Sequence, residues 1–320
     1  MTRSVVATAY GDPSVLSVID EALRDPGPGE VLIEVRAAGT NPVDYKLYSG
    51  AFGRDPARLP MRLGFEAAGV VTAVGFDPDG RAVEGPAGPI SPGDEVIAYR
   101  IDGAYADRVV VAASAVLPKP AGMSFEQASG LMLAGTTAVH ALTAARVGRG
   151  DTVLVHGGAG GVGLMAVQLA VRAGADVIAT ASEGRHARLR ELGAEPVRYG
   201  SGLVDRVRAL APDGIDAALD MVGTDEALDA SVELVADRRR IATVAGFGRA
   251  PELGIQALGG GPGADPGTDI RSAARMELVH RVEAGELVVD IAAVHPLADA
   301  AAAHRELAAG HAHGKVVLVP

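Results

Sequence analysis

The sequence contains no cysteine and no tryptophan, and aromatic residues make up only 3% of its 320 positions. The lack of cysteine excludes disulfides, thiolate zinc sites, iron–sulfur clusters and a cysteine nucleophile. The sequence has no run of about 20 uninterrupted apolar residues, so it offers no candidate membrane span. Its start lacks the apolar core of a signal peptide, and we therefore expect a cytoplasmic protein.

Positively charged residues are also fewer than negatively charged ones. Lysine and arginine total 29 against 40 aspartates and glutamates, which gives a formal charge of −11. An average field of this sign repels phosphates, so general binding to nucleic acid or to an anionic membrane is not expected. Apolar residues reach 48% of the chain. That fraction is enough for more than one core, and the length suggests about two domains or one large one.

Two different patterns divide the chain. Up to Pro120, short apolar runs alternate with glycine and proline turns, which is typical of a small barrel of short strands. From Ser124, which forms a capping-box pattern with Gln127, strands alternate with helical segments, and this order predicts a parallel α/β sheet. The glycine-rich stretch 246–268 is interpreted as a loop, and the tail beyond it returns to helix and strand.

A glycine-rich turn separates an apolar strand from an amphipathic helix near the middle of the chain. It carries the pattern G-x-G-x-x-G on Gly158, Gly160 and Gly163. The first glycine allows a tight turn, the second lets a pyrophosphate approach the backbone, and the third lets the helix pack on the strand. The first N–H groups of the helix, at Gly161 and Val162, then face the phosphates. The sequence therefore predicts a dinucleotide site.

The residues after the next strand bear on which dinucleotide binds. NAD sites place an acidic residue there, whereas NADP sites place a small residue with a nearby cation. Ser182 occupies that position and Arg185 follows it, which favours NADPH over NAD. Alternatives remain open for three residues. Glu183 is a candidate to bind a ribose hydroxyl or to cap the following helix. His186 is a second candidate for binding the phosphate, and the alternative for Arg185 is that it is an ordinary surface arginine.

Several segments, taken in order, make the chain resemble the medium-chain dehydrogenase/reductase superfamily, and within it the zinc-independent quinone oxidoreductase (zeta-crystallin-like) branch. Besides the glycine turn, they are Gly39–Lys46, Leu63–Val71, Gly103–Ala106, Pro118–Pro120, Ala134–Ala138, Leu192–Ala194 and Gly314–Leu318. The resemblance covers essentially the whole chain. It implies an α/β protein with its active site in a cleft between two domains, and a homodimer.

The first implied domain is a GroES-like β-rich catalytic domain, residues 1–120, completed by the tail 270–320. The second is a Rossmann NADP(H)-binding domain, residues 121–269, with a doubly wound parallel sheet. In zinc-dependent alcohol dehydrogenases of this superfamily, a cysteine stands where this chain has Asn41, and a histidine where it has Phe65. Neither replacement is a good zinc ligand, so we expect no metal. Hydride transfer from NADPH to a quinone or an α,β-unsaturated carbonyl is then the expected reaction.

The resemblance implies roles for individual residues. Asn41 would lie beside the nicotinamide and donate to a developing enolate oxygen; the alternative is that it only caps the turn before Pro42. Tyr45 and Lys46 are candidate donors to the same oxygen or to the ribose, although Lys46 also fits an exposed surface lysine. The other cofactor positions that the resemblance and the strand ends indicate are Thr137, Tyr199, Val222, Gly246, Phe247 and, in the tail, Lys315.

Other features have simpler interpretations. Asp44 is interpreted as a structural hydrogen-bonding residue, and the tail histidines His304, His311 and His313 as part of a surface loop rather than a metal site. Two other functions stay open. One is reduction of an enoyl thioester. The other is a non-enzymatic role in NADPH sensing or RNA binding, as in some zeta-crystallin-like proteins, which the negative charge disfavours.

Overall fold

The computed structural model describes residues 1–76, 80–310 and 312–320. These divide into two compact units. Unit 1 consists of Met1–Leu133, Arg275–Glu283 and Val289–Pro320, and unit 2 consists of Ala134–Ala274 and Ala284–Val288. Among the described residues, no helix combines the length and apolar character that a membrane crossing requires.

The described residues form β-strands, α-helices and short 3₁₀ turns. The strands are β1 Thr2–Ala7, β2 Leu16–Glu21, β3 Glu30–Gly39, β4 Met61–Arg62, β5 Glu66–Val74, β6 Glu84–Gly85, β7 Gly88–Pro89, β8 Glu95–Tyr99, β9 Arg108–Ala112, β10 Val116–Pro118, β11 Thr152–His156, β12 Asp176–Thr180, β13 Glu195–Val197, β14 Ala217–Asp220, β15 Ile241–Thr243, β16 Gln256–Ala257, β17 Ile291–Pro296 and β18 Lys315–Val319. The helices are α1 Pro42–Tyr48, α2 Phe125–Ser129, α3 Met132–Ala144, α4 Gly161–Arg172, α5 His186–Glu191, α6 Leu203–Leu210, α7 Asp225–Leu234, α8 Ala250–Leu253, α9 Thr268–Glu283 and α10 Ala300–Ala308.

Unit 1 is built around the long strand β3. Its main sheet has the order β10-β8-β5-β3-β18-β17, and β9 also pairs with β3. Side chains of β3 alternate, so that Val31, Ile33 and Val35 are buried in the core. The tail strand β18 pairs with β3 on one side and with β17 on the other. The GroES-like β-rich unit predicted from the sequence therefore includes residues from both ends of the chain.

Unit 2 contains a six-stranded sheet in which every pair is parallel. The strand order is β13-β12-β11-β14-β15-β16. The chain thus starts in the middle, moves to one edge, and returns to the other side of β11, which is the doubly wound order of a Rossmann sheet. The predicted fold class is confirmed. The buried strands are apolar along most of their length, as expected for a sheet that is covered on both faces.

Two local predictions had different outcomes. The capping box at the start of α2 is confirmed: the Gln127 backbone N–H donates to Ser124 Oγ, and the Ser124 N–H donates to Gln127 Oε1, both at 3.2 Å. The loop predicted for 246–268 is wrong in part, because the segment contains α8 and the edge strand β16. A strand of two residues is too short to produce an alternating pattern, so the sequence gives no signal for it.

Candidate functional site

The glycine turn in unit 2 joins β11 to α4 and is tied to the end of β12. Gly157 has a φ of +71°, in the left-handed region. Its N–H donates to Thr180 Oγ1 at 3.0 Å, and the next N–H, at Gly158, donates to the Thr180 carbonyl at 2.9 Å. Helix α4 then begins at Gly161, with Gly160 as its N-cap. The first N–H groups of this helix have no acceptor within the helix.

The three motif glycines differ in what requires them. A Cβ added at Gly163 would lie 2.1 Å from the Gly157 carbonyl oxygen, and one added at Gly158 would lie 2.7 Å from Ala179 Cβ. Packing within the protein therefore requires these two glycines. A Cβ at Gly160 would meet only the Gly157 oxygen, at 3.5 Å. The space in front of Gly160 is open, which fits the close approach of a pyrophosphate to the helix N-terminus.

The ends of the neighbouring strands β14 and β15 are connected by buried polar groups. Asp220 accepts hydrogen bonds from the N–H groups of Val222 and Gly223, and from the Thr243 hydroxyl at 2.6 Å. Thr243 Oγ1 in turn accepts from the Gly246 N–H at 2.7 Å. These bonds fix the turns that carry Val222, Gly246 and Phe247. Because the carboxyl ends of parallel strands meet at one edge, these residues share an edge with the glycine turn.

The residues that bear on NADPH or NAD follow β12 and β13 at the same edge. Ser182 is half-buried and precedes a 3₁₀ turn that ends at Arg185, whose side chain is also half-buried. Glu183 is exposed and lies 3.4 Å from Arg198 in an ion pair. That pair gives the Glu183 carboxylate a partner within unit 2. Tyr199 follows β13 and is 54% exposed.

Thr137, another predicted cofactor residue of unit 2, lies on a helix that is separate from the glycine turn. It is buried on α3, and its Oγ1 accepts a hydrogen bond from Arg271 at 2.9 Å. The Arg271 Nε also donates to His140 Nδ1 at 3.3 Å, and His140 Nε2 lies 3.3 Å from Asp265. The stretch around Asp265 is thereby bonded to α3.

In unit 1, the predicted catalytic residue Asn41 belongs to a buried polar cluster. Asn41 is the N-cap of α1 and forms a capping box with Asp44. Its side chain also has partners outside the helix: Nδ2 donates to Glu66 Oε1 at 3.0 Å, and Oδ1 accepts from Lys315 Nζ at 2.5 Å. The second Nδ2 contact is a long one, 3.4 Å to the Gly39 carbonyl. Asn41 therefore caps the turn before Pro42, and its side chain also joins the cluster formed with Glu66 and Lys315.

Glu66 and Lys315 form an ion pair inside this cluster. The distance between Lys315 Nζ and Glu66 Oε1 is 3.0 Å, and the two side chains are 5% and 0% exposed. The other carboxylate oxygen, Oε2, accepts from the Leu133 backbone N–H at 2.8 Å, in the first turn of α3. A helix N-terminus stabilises negative charge, so the carboxylate has favourable partners on both oxygens.

A second chain of hydrogen bonds starts from Asp44, which is in the first turn of α1. Asp44 Oδ2 accepts from the Asn41 backbone N–H and from the Tyr105 hydroxyl, both at 2.7 Å. Tyr105 is 3.0 Å from His304 Nε2, and Tyr48 is 2.8 Å from His304 Nδ1. Since Tyr105 donates to Asp44, it must accept from Nε2–H, which assigns the His304 proton to Nε2 and makes Tyr48 a donor.

Burial changes the acidity of these groups. It raises the pKa of Asp44 to about 7, because a carboxylate without water is costly. It lowers the pKa of His304 to about 4, so that the imidazole is neutral near pH 7. It also raises the pKa of the Tyr105 phenol well above its usual value.

Tyr45 and Lys46, the other predicted catalytic residues, lie on α1 after Asp44. Both side chains are half-buried, whereas Asp44 and Tyr48 on the same helix are fully buried. Burial lowers the pKa of the Lys46 ammonium and raises that of the Tyr45 phenol. The structure thus brings Asn41 into the buried cluster and places the other two on the more accessible side of α1.

Comparisons with known proteins agree with this architecture. The alcohol dehydrogenase GroES-like domain model matches residues 27–121, and the zinc-binding dehydrogenase model matches 192–318. A quinone oxidoreductase of Pseudomonas aeruginosa is 36% identical over 100% of both chains. The chain belongs to the medium-chain dehydrogenase/reductase superfamily, in its quinone oxidoreductase branch.

Two further relatives of this dehydrogenase/reductase chain are informative. The solved structure of Escherichia coli quinone oxidoreductase complexed with NADPH has a TM-score of 0.84 and 27% identity, with 100% of each chain covered. Erythronolide synthase EryA2 of Saccharopolyspora erythraea is 39% identical over 233 residues, which are 68% of this chain and 6% of that protein.

The zinc in the name of one matching family model does not fit the residues present. A positively charged ammonium, Lys315 Nζ, lies within 3.0 Å of both Asn41 Oδ1 and Glu66 Oε1. This cation uses the oxygens that a metal would need and repels a second cation. Over the described ranges, no group of three or more histidine, aspartate and glutamate side chains is arranged to hold a metal.

For this member of the superfamily, sequence reasoning missed most of the cluster. The interpretation of His304 as a surface residue is wrong, because α10 buries it completely between Tyr48 and Tyr105. His313 is exposed, and His311 lies outside the described residues. Glu66 and Tyr105 were not singled out, although each lies in a segment that carries the family resemblance. A charged residue at the start of an otherwise apolar strand was the available signal for Glu66.

Proposed function

We propose that the protein is an NADPH-dependent, zinc-independent reductase that transfers hydride to a quinone or an α,β-unsaturated carbonyl. The observation that carries this proposal is its 36% identity to a quinone oxidoreductase over the full length of both chains. The NADPH complex of the E. coli relative supports the choice of cofactor. The open space at Gly160 supports the binding of a dinucleotide at the glycine turn.

NADPH, when bound, supplies the hydride. Backbone groups of the glycine turn hold its pyrophosphate at the start of α4, where the helix dipole favours negative charge. Ser182 and Arg185 bind the 2′-phosphate, because a hydroxyl and a guanidinium both donate to phosphate oxygens. The full set of cofactor-binding residues in the proposal is Thr137, Gly158, Gly160, Gly161, Val162, Gly163, Ser182, Arg185, Tyr199, Val222, Gly246 and Phe247.

Residues of unit 1 act on the acceptor. As hydride arrives at a conjugated acceptor, negative charge develops on its oxygen, and Asn41 stabilises that charge through an Nδ2 hydrogen. The hydrogen that makes only the 3.4 Å contact with Gly39 is the one that can be redirected. Lys46 then supplies the proton, since burial lowers the pKa of its ammonium. Tyr45 is the second candidate donor.

A second acceptor class is an enoyl thioester. The 39% identity to a segment of erythronolide synthase EryA2 favours this alternative. An enoyl thioester is also a conjugated carbonyl, so the same Asn41 hydrogen bond would stabilise its enolate. The alternatives differ in the acceptor and not in the site residues.

The test is oxidation of NADPH and NADH with a panel of 1,4-quinones, alkyl enones and crotonyl thioesters, each with and without a chelator. We expect turnover with NADPH that is indifferent to the chelator, and the best acceptor identifies the class. A preference for NADH would contradict the roles of Ser182 and Arg185. Tight NADPH binding without turnover on any acceptor would contradict the reductase and favour a sensing or RNA-binding role.

The proposal extends to the assembly and the domains. We propose a cytoplasmic homodimer without nucleic-acid partners, with a GroES-like domain of residues 1–120 and 270–320 and a Rossmann domain of residues 121–269. The formal charge of −11 supports the lack of nucleic-acid binding. Analytical ultracentrifugation tests the dimer. An RNA-binding assay tests the last point, because true phosphate contacts weaken steeply with salt.

A further inference from the structure

The Lys315 ammonium lies among three oxygen atoms of the protein. Its Nζ donates to the Thr40 carbonyl at 2.9 Å, to Asn41 Oδ1 at 2.5 Å and to Glu66 Oε1 at 3.0 Å. A lysine ammonium has three N–H bonds, so this arrangement uses each of them once. The residue is only 4% exposed, and burial of an ammonium is costly unless it is paired in this way.

The structure also provides room for this lysine. A Cβ added at Gly130 would lie 2.9 Å from Lys315 Cγ and 3.2 Å from its Cε. The stem of the lysine therefore passes against a glycine backbone. A Cβ added at Gly39 would lie 2.8 Å from Glu66 Oε1 and 2.1 Å from the Ser129 carbonyl oxygen. Glycines on two sides thus allow the ammonium and the carboxylate to reach Asn41.

The Asn41 amide is the group that these two charges share. An asparagine amide has nearly the same shape after a 180° rotation, which exchanges its oxygen and its NH₂ group. An ammonium only donates hydrogen bonds, and a carboxylate only accepts them. Rotation of Asn41 would therefore turn NH₂ toward Lys315 and the oxygen toward Glu66, and would replace two attractive contacts by two repulsive ones.

We propose that Lys315 and Glu66 are positioning residues that hold the Asn41 amide in one orientation, with its second Nδ2 hydrogen available to the acceptor oxygen. This inference rests on the proposed function, in which Asn41 donates to that oxygen. Lys315 acts through Asn41 and not as a ligand of the cofactor, contrary to the role that the family resemblance implied for it. A buried ion pair contributes little net stability compared with apolar side chains, but it can select one geometry.

The test compares Lys315→Met, Glu66→Gln and the double variant K315M/E66Q. Each single variant leaves a buried charge without its partner, so we expect Tm to fall by roughly 6–15 °C. The double variant removes both charges, and most of the Tm loss should be recovered. Its kcat should nevertheless stay at least about tenfold below wild type, because nothing then selects the amide orientation. NADPH affinity, measured by fluorescence titration, should change less than about twofold, since the glycine turn shares no residue with this cluster.

Lys119→Met is the matched control. Lys119 is a second lysine of unit 1 with a largely buried side chain, which is 6% exposed and forms an ion pair at 3.0 Å with the exposed Glu95. It lies outside the Asn41 cluster, so its removal should lower Tm without lowering kcat. A fall of kcat in K119M equal to that in K315M would overturn the inference, because loss of stability alone would then explain both.

The decisive comparison introduces K315M into a protein that already carries Asn41→Ala. If Lys315 acts through Asn41, K315M should lower kcat by less than about twofold in the N41A protein, since the group it positions is already gone. If the kcat losses of N41A and K315M instead multiply in the protein that carries both substitutions, the inference is overturned. Recovery of both Tm and kcat in K315M/E66Q would also overturn it, because the pair would then be only structural.

One measurement does not depend on turnover. The Asn41 side-chain amide should give a pair of slowly exchanging ¹⁵N–¹H NMR signals in wild type, identified by their loss in N41A. In K315M/E66Q these signals should broaden or exchange with solvent at least about tenfold faster. Unchanged exchange would overturn the positioning role. If wild type shows slow exchange but reduces no acceptor, the proposed function fails while the orientation of the amide is supported.

Discussion

The two units build their candidate sites from opposite materials. In unit 2, the pyrophosphate part of the site consists of backbone N–H groups and of positions where a side chain is missing, such as Gly160 and Gly163. In unit 1, it consists of buried side chains that carry charges and hydrogen bonds, centred on Asn41, Glu66 and Lys315. A site made of backbone groups is formed by a few residues that are consecutive in the sequence. A site made of buried side chains is distributed along the chain.

This difference predicts different consequences of mutation. A side chain added at the glycine turn should disrupt the turn where the new Cβ contacts protein atoms. It should weaken phosphate binding where the new Cβ points into open space. Changes in the buried cluster should couple stability, pH and chemistry, because each polar group there depends on its partners. The predictions below test this contrast, beginning with the largest expected effect.

Gly163→Ala should be the most damaging substitution. The new Cβ would lie 2.1 Å from the Gly157 carbonyl oxygen, a backbone atom that cannot move without opening the turn. We expect a loss of about 3 kcal/mol or more in the free energy of unfolding, and no measurable NADPH binding. Urea unfolding and fluorescence titration measure the two effects. A G163A protein of wild-type stability would contradict the packing argument.

Asp44→Asn should change the pH dependence of stability. Burial raises the Asp44 pKa from 3.8 to about 7. The proton on Asp44 therefore contributes stability that is complete below pH 3.8 and is lost as the pH rises through about 7. Asparagine has no such loss, so the advantage of D44N over wild type should grow by about 2–4 kcal/mol between pH 4 and pH 8. Urea midpoints at several pH values check this, and parallel curves for the two proteins would refute it.

His304→Gln tests the opposite sign in the same cluster. Burial lowers the His304 pKa from 6.5 to about 4. Its neutral form contributes stability that is complete above pH 6.5 and is lost as the pH falls through about 4. In H304Q, the free energy of unfolding should therefore depend less on pH than in wild type, and only on the acid side. Urea midpoints between pH 4 and pH 8 measure this change. A change confined to the range above pH 7 would contradict the assignment of a neutral imidazole.

Gly160→Ala should separate binding from folding. The added Cβ meets only the Gly157 oxygen at 3.5 Å, and the backbone of Gly160 has a φ of −81°, which alanine adopts without strain. We expect unchanged stability but NADPH binding weakened by about 10–100-fold, because the methyl group occupies the space of the pyrophosphate. Tight binding in G160A would mean that the phosphates do not approach this residue.

Arg185→Ala should have the smallest effect and the most specific one. Loss of one guanidinium contact to the 2′-phosphate should raise the KM for NADPH by about tenfold and leave the KM for NADH unchanged. The control is Arg190→Ala, which removes an arginine paired with Glu195 at 3.5 Å near the opposite ends of the strands. Equal effects on both cofactors would show that Arg185 does not distinguish them.

The same contrast explains what the sequence can predict. In unit 2, the apolar strand predicted before the glycine turn is found as β11, because the turn requires glycine and the strand before it is buried and apolar. In unit 1, Asn41 and Lys315 are 274 residues apart, and each looks ordinary in its own segment. Their contact depends on β18 pairing with β3, which no local pattern encodes. Glu66, Tyr105 and His304 were missed for the same reason.

The long separation of the buried ion pair has a consequence for how the protein is made. Glu66 and Lys315 are 249 residues apart in the sequence. At about 5–20 residues per second, a ribosome therefore needs roughly 12–50 s after adding Glu66 before it adds Lys315. During that time β5 carries a carboxylate whose buried partner does not yet exist, while all of unit 2 is synthesised. Unit 2 is thus expected to fold first during synthesis, and unit 1, although it begins first, to close last.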